Sequence, residues 1–180
     1  MSNLADGTLA PIDFYAPERP PKVVKMAEVP INQIKPENIA SSPGYIGNVF
    51  GKLTPVEMVE LCLERAKAYL DNRDPMQASE KLYKATEDSI KYLAEHYQLD
   101  EYKDALKQGN WWHGVLSRAS KHLAKDTGKK EIDDAWTKAF DLHVNGFHEN
   151  ALNVEDVLPV VPIIEKLVQY VREVSNGRGK

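Results

Sequence analysis

The chain has little cysteine, no long apolar run and no excess of basic residues, and each shortage excludes a class of protein. Cys62 is the single cysteine among the 180 residues, which excludes an internal disulfide and any zinc or iron–sulfur site built from several cysteines. No apolar run approaches the roughly 20 residues that span a bilayer. The 23 basic and 27 acidic residues give a net charge of −4, so no basic field covers the molecule. Since the first residues also lack the pattern of a secretory signal, we expect a soluble, cytoplasmic protein.

The sequence motifs of several enzyme classes are missing as well. Neither a GxxxxGK[ST] phosphate loop nor a GxGxxG fingerprint occurs. The Glu-x-x-His motif of di-iron bundles, the His-Glu-x-x-His motif of zinc proteases and the Gly-x-Ser-x-Gly motif of α/β-hydrolases are absent too. We therefore predict no metal site and no cofactor.

The first third of the chain is rich in proline. Seven of the 11 prolines lie within residues 1–53, and proline lacks an amide hydrogen and restricts the residue before it. Residues 22–52 are nevertheless too apolar to stay fully solvated. We predict that residues 1–53 form an extended, non-helical tail and arm, which packs against the rest of the chain or a second subunit.

From Thr54 onwards the apolar residues recur with the period of a helix. Thr54 and Glu57 form a capping box, and Asp74-Pro75 starts a second helix in the same way. Short turns between the helices place neighbours antiparallel. The pattern predicts an all-α, antiparallel up-and-down bundle of five to six helices over residues 54–176. The predicted helices cover about residues 55–70, 75–97, 100–107, 111–127, 131–149 and 154–174. We expect Asn110 to cap the fourth helix and Trp112 to point inward from it. Pro159 and Pro162 predict an irregular start of the sixth.

The fourth predicted helix carries a row of basic residues. Arg118, Lys121, Lys125 and Lys129 follow at steps of three, four and four, which places them on one face. Such a basic face could bind a phosphate backbone. The alternative is a solvated face whose cations are favoured near the helix C-terminus.

His122 follows Arg118 by four residues and shares its side of that helix. An arginine that binds phosphate beside a histidine that transfers a proton is the minimum for metal-independent RNA cleavage. These two are the candidate catalytic residues. The alternative is that both are ordinary surface residues.

The stretch LHVNGFHE, residues 142–149, is the most unusual in the chain. His143 falls on the apolar stripe with Trp136 and Phe140, so we expect it to be buried with a hydrogen-bond partner. Gly146 inside a helix indicates close approach by another helix or a ligand. In a regular helix His148 points roughly 140° away from His143, so the two could not bind one metal ion. One interpretation is purely structural; the other is a small-ligand pocket, whose residues would be Trp112, His113, His143, His148 and Glu149.

Two separated segments resemble a known family. The run DPMQASEKLYKATEDSIK at residues 74–91, followed by LHVNGFHE at residues 142–149, is similar to the PaREP family of archaeal helical proteins. The resemblance covers about residues 54–175. It implies a bundle like the HEPN and nucleotidyltransferase substrate-binding proteins, often a dimer, and no settled activity. Many HEPN proteins are ribonucleases with an Arg-x(4–6)-His motif on a late helix, whereas Arg118 and His122 have three residues between them.

Three functions follow as hypotheses. The first is a homodimeric binding module that contacts a partner, such as nucleic acid or nucleotide, through the arm or the basic face. The second is a metal-independent ribonuclease or nucleotide-binding enzyme that uses Arg118 and His122. The third is a small-ligand pocket near Trp112, His143 and His148.

Overall fold

The structure is a computed structural model that describes residues 53–178. Within this range the chain forms helices and no strand, which confirms the predicted all-α bundle. The predicted arm lies outside the described residues except for Leu53. The elements are α1 (Pro55–Asp71), α2 (Pro75–His96), α3 (Asp100–Gln108), α4 (His113–Thr127), α5 (Glu131–Asp141), a π-helix (Leu142–His148), α6 (Val154–Val157), a 3₁₀ turn (Leu158–Val160) and α7 (Val161–Ser175).

Side-chain caps start the helices where the sequence predicts them. The Thr54 hydroxyl accepts from the Glu57 backbone N–H at 3.2 Å, and the Glu57 carboxylate accepts from the Thr54 N–H at 2.7 Å. Asp74 caps α2, and Asn153 forms a second capping box with Asp156 at the start of α6. Each cap satisfies backbone donors that the first helical turn leaves unpaired.

Helix α2 lies at the centre of the bundle. It contacts all the other α-helices and the π-helix, and its buried residues recur at helical steps from Ala78 to Ala94. The core forms two clusters, one around each half of α2, and Tyr83 packs against both. Since burying a leucine or isoleucine side chain stabilises by about 1.5–3 kcal/mol, these clusters hold the helices in place.

Helix α1 is antiparallel to both α2 and α7. A short turn after Asp71 reverses the chain into α2. Residues of α1 and the turn pair with residues of α6 and α7 in reversed order along the chain: Glu60 with Arg172, Lys67 with Glu165, and Arg73 with Glu155. Such exposed pairs add little stability, but their reversed order shows that α1 and α7 run in opposite directions.

The start of α4 differs from the prediction. The helix begins at His113 rather than at residue 111, and Trp112 occupies the cap position instead of Asn110. Trp112 was predicted to point inward, but 60% of its surface is exposed. Because the residue precedes the helix, the helical register does not direct its side chain into the core.

The fifth predicted helix is regular only to Asp141 and continues as a π-helix. The Glu149 N–H donates to the Val144 carbonyl, five residues earlier, at 3.0 Å, which is the π-helical pattern. Gly146 lies against α2, because a Cβ built there would overlap the Ser79 side chain. The close helix approach predicted at Gly146 is therefore confirmed.

The last predicted helix has an irregular start, as its prolines predict. Helix α6 is followed by the 3₁₀ turn and only then by α7, with Pro159 and Pro162 near the starts of these segments. None of the helices in residues 53–178 combines the length and the apolar character that a bilayer crossing requires.

Candidate functional site

The π-helix brings two histidines together that a regular helix would separate. The Nε2 atoms of His143 and His148 are 3.1 Å apart, and the two rings meet edge to face with centroids at 4.5 Å. The prediction that these side chains point about 140° apart is wrong, because the wider π-helical turn reduces the angle around the axis between residues five apart. π-helical turns occur frequently at functional sites, which makes this pair the starting point of the site.

Helix α2 supplies the partners of His143. Its Nδ1 lies 3.4 Å from the Glu80 carboxylate, and its ring stacks on Tyr83 with centroids at 4.1 Å. Burial, and then the negative charges of Glu87 and Glu80, raise the pKa of Tyr83 to about 12. The expected partner of His143 is thus present, but the side chain is not fully buried as predicted: 24% of it is exposed. The π-helix turns the ring towards the bundle surface.

The aromatic patch consists of His113, Phe140, His143, Phe147 and His148. His113 stacks on Phe140 with centroids at 3.9 Å and a tilt of 7°. Phe140 and Phe147 flank His143 with centroids at 6.4 and 6.1 Å. These residues are half-buried or exposed, so they present ring surface to solvent.

The aromatic patch unites most of the predicted pocket residues. Trp112 directly precedes His113 and is exposed, and Glu149 caps the end of the π-helix. Two clefts of about 300 Å³ each lie elsewhere. One is lined by residues including Leu106 and Trp111, and the other by residues including Met58. The aromatic patch therefore lines neither cleft and is an exposed surface of the bundle.

Three of the four predicted basic residues lie on α4. Arg118, Lys121 and Lys125 are exposed. Lys129 follows the helix end at Gly128, where φ is 70°, and its Nζ lies 4.6 Å from the centroid of the Tyr170 ring. Because the helix has ended, Lys129 no longer shares its register, and we restrict the basic face to the three residues on α4.

Arg118 and His122 have different surroundings although both lie on α4. The Arg118 guanidinium reaches back towards the start of the helix, with Nη1 3.8 Å from where a Cβ on Gly114 would lie. His122 lies between two carboxylates, with Nδ1 3.1 Å from Glu101 and Nε2 3.2 Å from Asp126. A carboxylate on one ring nitrogen can orient a catalytic histidine, but here the second nitrogen is engaged as well.

Sequence reasoning missed two residues of the site, Glu80 and Tyr83. Both lie on α2, about sixty residues before His143, and a long-range contact of this kind leaves no periodic signal. The requirement that a partly buried histidine needs a hydrogen-bond partner predicts that such a residue exists, without identifying it. Among the residues that the structure describes, no three His, Cys, Asp or Glu side chains are grouped to hold a metal ion.

Fold and site together define a class: a small all-α bundle in which the helix that carries the basic face begins at His113, a residue of the exposed aromatic patch. The model of the archaeal PaREP1/PaREP8 family matches residues 54–168. The chain therefore belongs to this archaeal family, and the resemblance seen in the sequence is confirmed.

Solved structures that resemble the chain include the following two. A crystal structure of a protein from Sulfolobus solfataricus is 37% identical, with a TM-score of 0.59, and the match covers 64% of this chain and 94% of that one. A solution structure of the Orf c02003 protein is 36% identical, with a TM-score of 0.57 and coverage of 63% and 88%. No curated protein matches the chain.

Proposed function

We propose that the chain is a binding module that contacts single-stranded nucleic acid through α4 and the aromatic patch. One observation carries this proposal: the helix that bears exposed Arg118, Lys121 and Lys125 starts at exposed Trp112 and His113. Proteins that bind single strands combine cations that track the backbone with aromatic rings on which bases stack. Helix α4 offers both kinds of group on one rigid element.

The dimensions and the charge distribution support this proposal. The helix from His113 to Lys125 is about 18 Å long, and the Arg118 guanidinium extends towards its aromatic end. Residues 54–109 carry eight basic and 12 acidic side chains, which would repel phosphate. A nucleic-acid backbone is therefore expected to follow α4 rather than the first three helices.

Fluorescence anisotropy with a labelled, short single-stranded RNA tests the proposal. Three phosphate contacts predict that the logarithm of the association constant, log K, falls with the logarithm of the salt concentration. The expected slope is about −2 between about 50 and 200 mM salt. The triple variant Arg118→Glu, Lys121→Glu, Lys125→Glu should weaken binding at least about tenfold. The single variant Trp112→Ala should also weaken RNA binding. It should leave the slope of log K against log salt unchanged, because base stacking is not ionic.

A second triple variant provides the matched control. Lys103→Glu, Lys107→Glu, Lys166→Glu changes the net charge by the same amount at exposed positions on α3 and α7. It should bind RNA nearly as well as the unchanged chain. Equal weakening by both triple variants, or no binding at low salt, would reject the proposed face. A free nucleotide that competes as well as RNA would restrict the ligand to nucleotides.

We also propose a homodimer, a HEPN-like relationship and a cytoplasmic location. The dimer is proposed from the family resemblance, and Leu106 on α3, which is 64% exposed, is the residue at which we test an apolar contact with a second copy. The lone cysteine, Cys62, is buried and unpaired, as is usual in a reducing compartment. Light scattering should give twice the monomer mass, and Leu106→Ser should reduce it; a monomeric unchanged chain would refute the dimer.

An alternative proposal is metal-independent RNA cleavage by Arg118 and His122. The contact between Glu101 and His122 Nδ1 favours it, because such a carboxylate orients the imidazole for proton transfer. Cleavage in the presence of EDTA should persist in His96→Ala, an exposed histidine on α2, and be lost in His122→Ala. Cleavage that survives His122→Ala, or none by the unchanged chain, would exclude this alternative.

The third proposal is a small-ligand pocket near Trp112, His143 and His148. In its favour, His143 is partly accessible; against it, the two described clefts lie elsewhere. A fragment screen by NMR should move the signals of both histidines first if the pocket exists. Shifts confined to the clefts around Trp111 or Met58 would contradict it.

A further inference from the structure

We propose that His143 and His148 bind a divalent transition-metal ion. The proposal starts from the distance of 3.1 Å between their Nε2 atoms. Two imidazoles that bind one tetrahedral ion at about 2.0–2.1 Å have their nitrogens roughly 3.3 Å apart. Only a small rotation separates the observed pair from that arrangement, and His148 is exposed and able to make it.

Glu80 prepares His143 for this role. Its carboxylate lies 3.4 Å from Nδ1, and a proton on Nδ1 leaves the lone pair of Nε2 free to bind a metal. Histidine ligands in metal sites commonly donate their other N–H to a carboxylate, which fixes the ring and increases its basicity. The stacking on Tyr83 restricts the ring further. Glu80 and Tyr83 are therefore positioning residues.

The chemistry of the pair selects the class of ion. Neutral imidazole suits zinc, copper and nickel, whereas magnesium and calcium prefer oxygen ligands. Within residues 53–178 no third protein ligand joins the pair, so water or a bound anion would complete the coordination. The ion would lie at the edge of the aromatic patch with open positions towards solvent.

Isothermal titration of the full chain with Zn²⁺, without nucleic acid, tests the site independently of the proposed function. We expect one ion per chain and an affinity at least about tenfold lower in His148→Ala. Glu80→Gln should also lower the affinity about tenfold, and Glu80→Asp should recover part of it. Because His148 is exposed, its replacement is expected to leave the melting temperature of the metal-free chain unchanged.

Control variants exclude the other histidines. The chain has five histidines, and His122, with its two carboxylate neighbours, is the principal competitor. His122→Ala and His96→Ala should bind Zn²⁺ as the unchanged chain does. With Cu²⁺, electron paramagnetic resonance should show coupling to two imidazole nitrogens, reduced to one in His148→Ala. No binding, equal affinity in His148→Ala, or loss in His122→Ala would overturn the assignment.

Discussion

Replacing Gly146 with alanine tests the contact that holds the π-helix against α2. Gly146 is buried, and a Cβ there would lie 2.7 Å from the Ser79 Cβ and closer still to its hydroxyl oxygen. A third atom, Leu152 Cδ1, would lie at 3.4 Å. The substitution therefore inserts a methyl group where two elements already touch.

Two effects of opposite sign set the magnitude. Alanine in place of glycine inside a helix favours folding by about 1 kcal/mol. Overpacking costs about 1–3 kcal/mol, and the upper end applies because the Ser79 Cβ belongs to the central helix and cannot rotate away. We expect Gly146→Ala to lower the free energy of unfolding by about 2 kcal/mol.

Urea unfolding followed by circular dichroism measures this change, and Gly114→Ala is the matched control. Gly114 lies in the first turn of α4, where a Cβ would meet only Arg118 Nη1 at 3.8 Å. This control should leave stability unchanged or raise it by up to about 1 kcal/mol.

A double-mutant cycle assigns the loss to Ser79. Ser79→Gly removes both serine atoms that the new methyl group would meet, so combining it with Gly146→Ala should cost less than the sum of the single changes. A Gly146→Ala variant as stable as the unchanged chain would refute the close contact, and additive costs would refute the role of Ser79.

Three further predictions concern the stability and reactivity of the bundle. Thr54→Ala removes the capping box of α1 and should cost about 1 kcal/mol in urea unfolding, whereas Thr137→Ala on exposed α5 surface should cost less; equal losses would contradict the cap. Burial raises the pKa of Glu87, but hydrogen bonds and charges of Lys91 and Lys84 outweigh it and leave the pKa below 4.5. The stability that Glu87 contributes is thus present above about pH 4.5 and lost as the pH falls through its lowered pKa. In urea unfolding at a series of pH values, the free energy of unfolding of Glu87→Gln should therefore fall less on acidification than that of the unchanged chain. An equal fall in both proteins would refute this. Burial raises the pKa of the Cys62 thiol, so a thiol reagent should react slowly at neutral pH and rapidly in urea; fast reaction of the folded chain would contradict its packing.

Local signals in the sequence predicted the helices well. The Thr54 capping box depends only on contacts three residues apart, and the structure places it as predicted. The apolar period of α2 likewise needs no knowledge of its neighbours. At α4, by contrast, Asn110 was a plausible cap by composition, and the helix starts at His113.

The candidate site was only partly predictable. Residues 142–149 stood out by composition, and Gly146 correctly indicated a close approach. The prediction failed on the geometry of His143 and His148, since it assumed a turn of regular pitch. Glu80 was invisible because nothing in the sequence near it indicates that the π-helix packs beside it.

The sequence by itself determined the elements of this protein: the periodicity after Thr54, the caps and the short turns specify helices and the direction of neighbours through interactions a few residues long. Only the tertiary structure decided which side chains meet. The packing of Gly146 on Ser79 accompanies a π-helix at that position, and this wider turn sets His148 beside His143 and turns both towards solvent. Hydrogen bonds within a helix join residues a few positions apart, so the sequence predicts them. The π-helix packs against α2, which is distant in the sequence and comes next to it only when the chain folds.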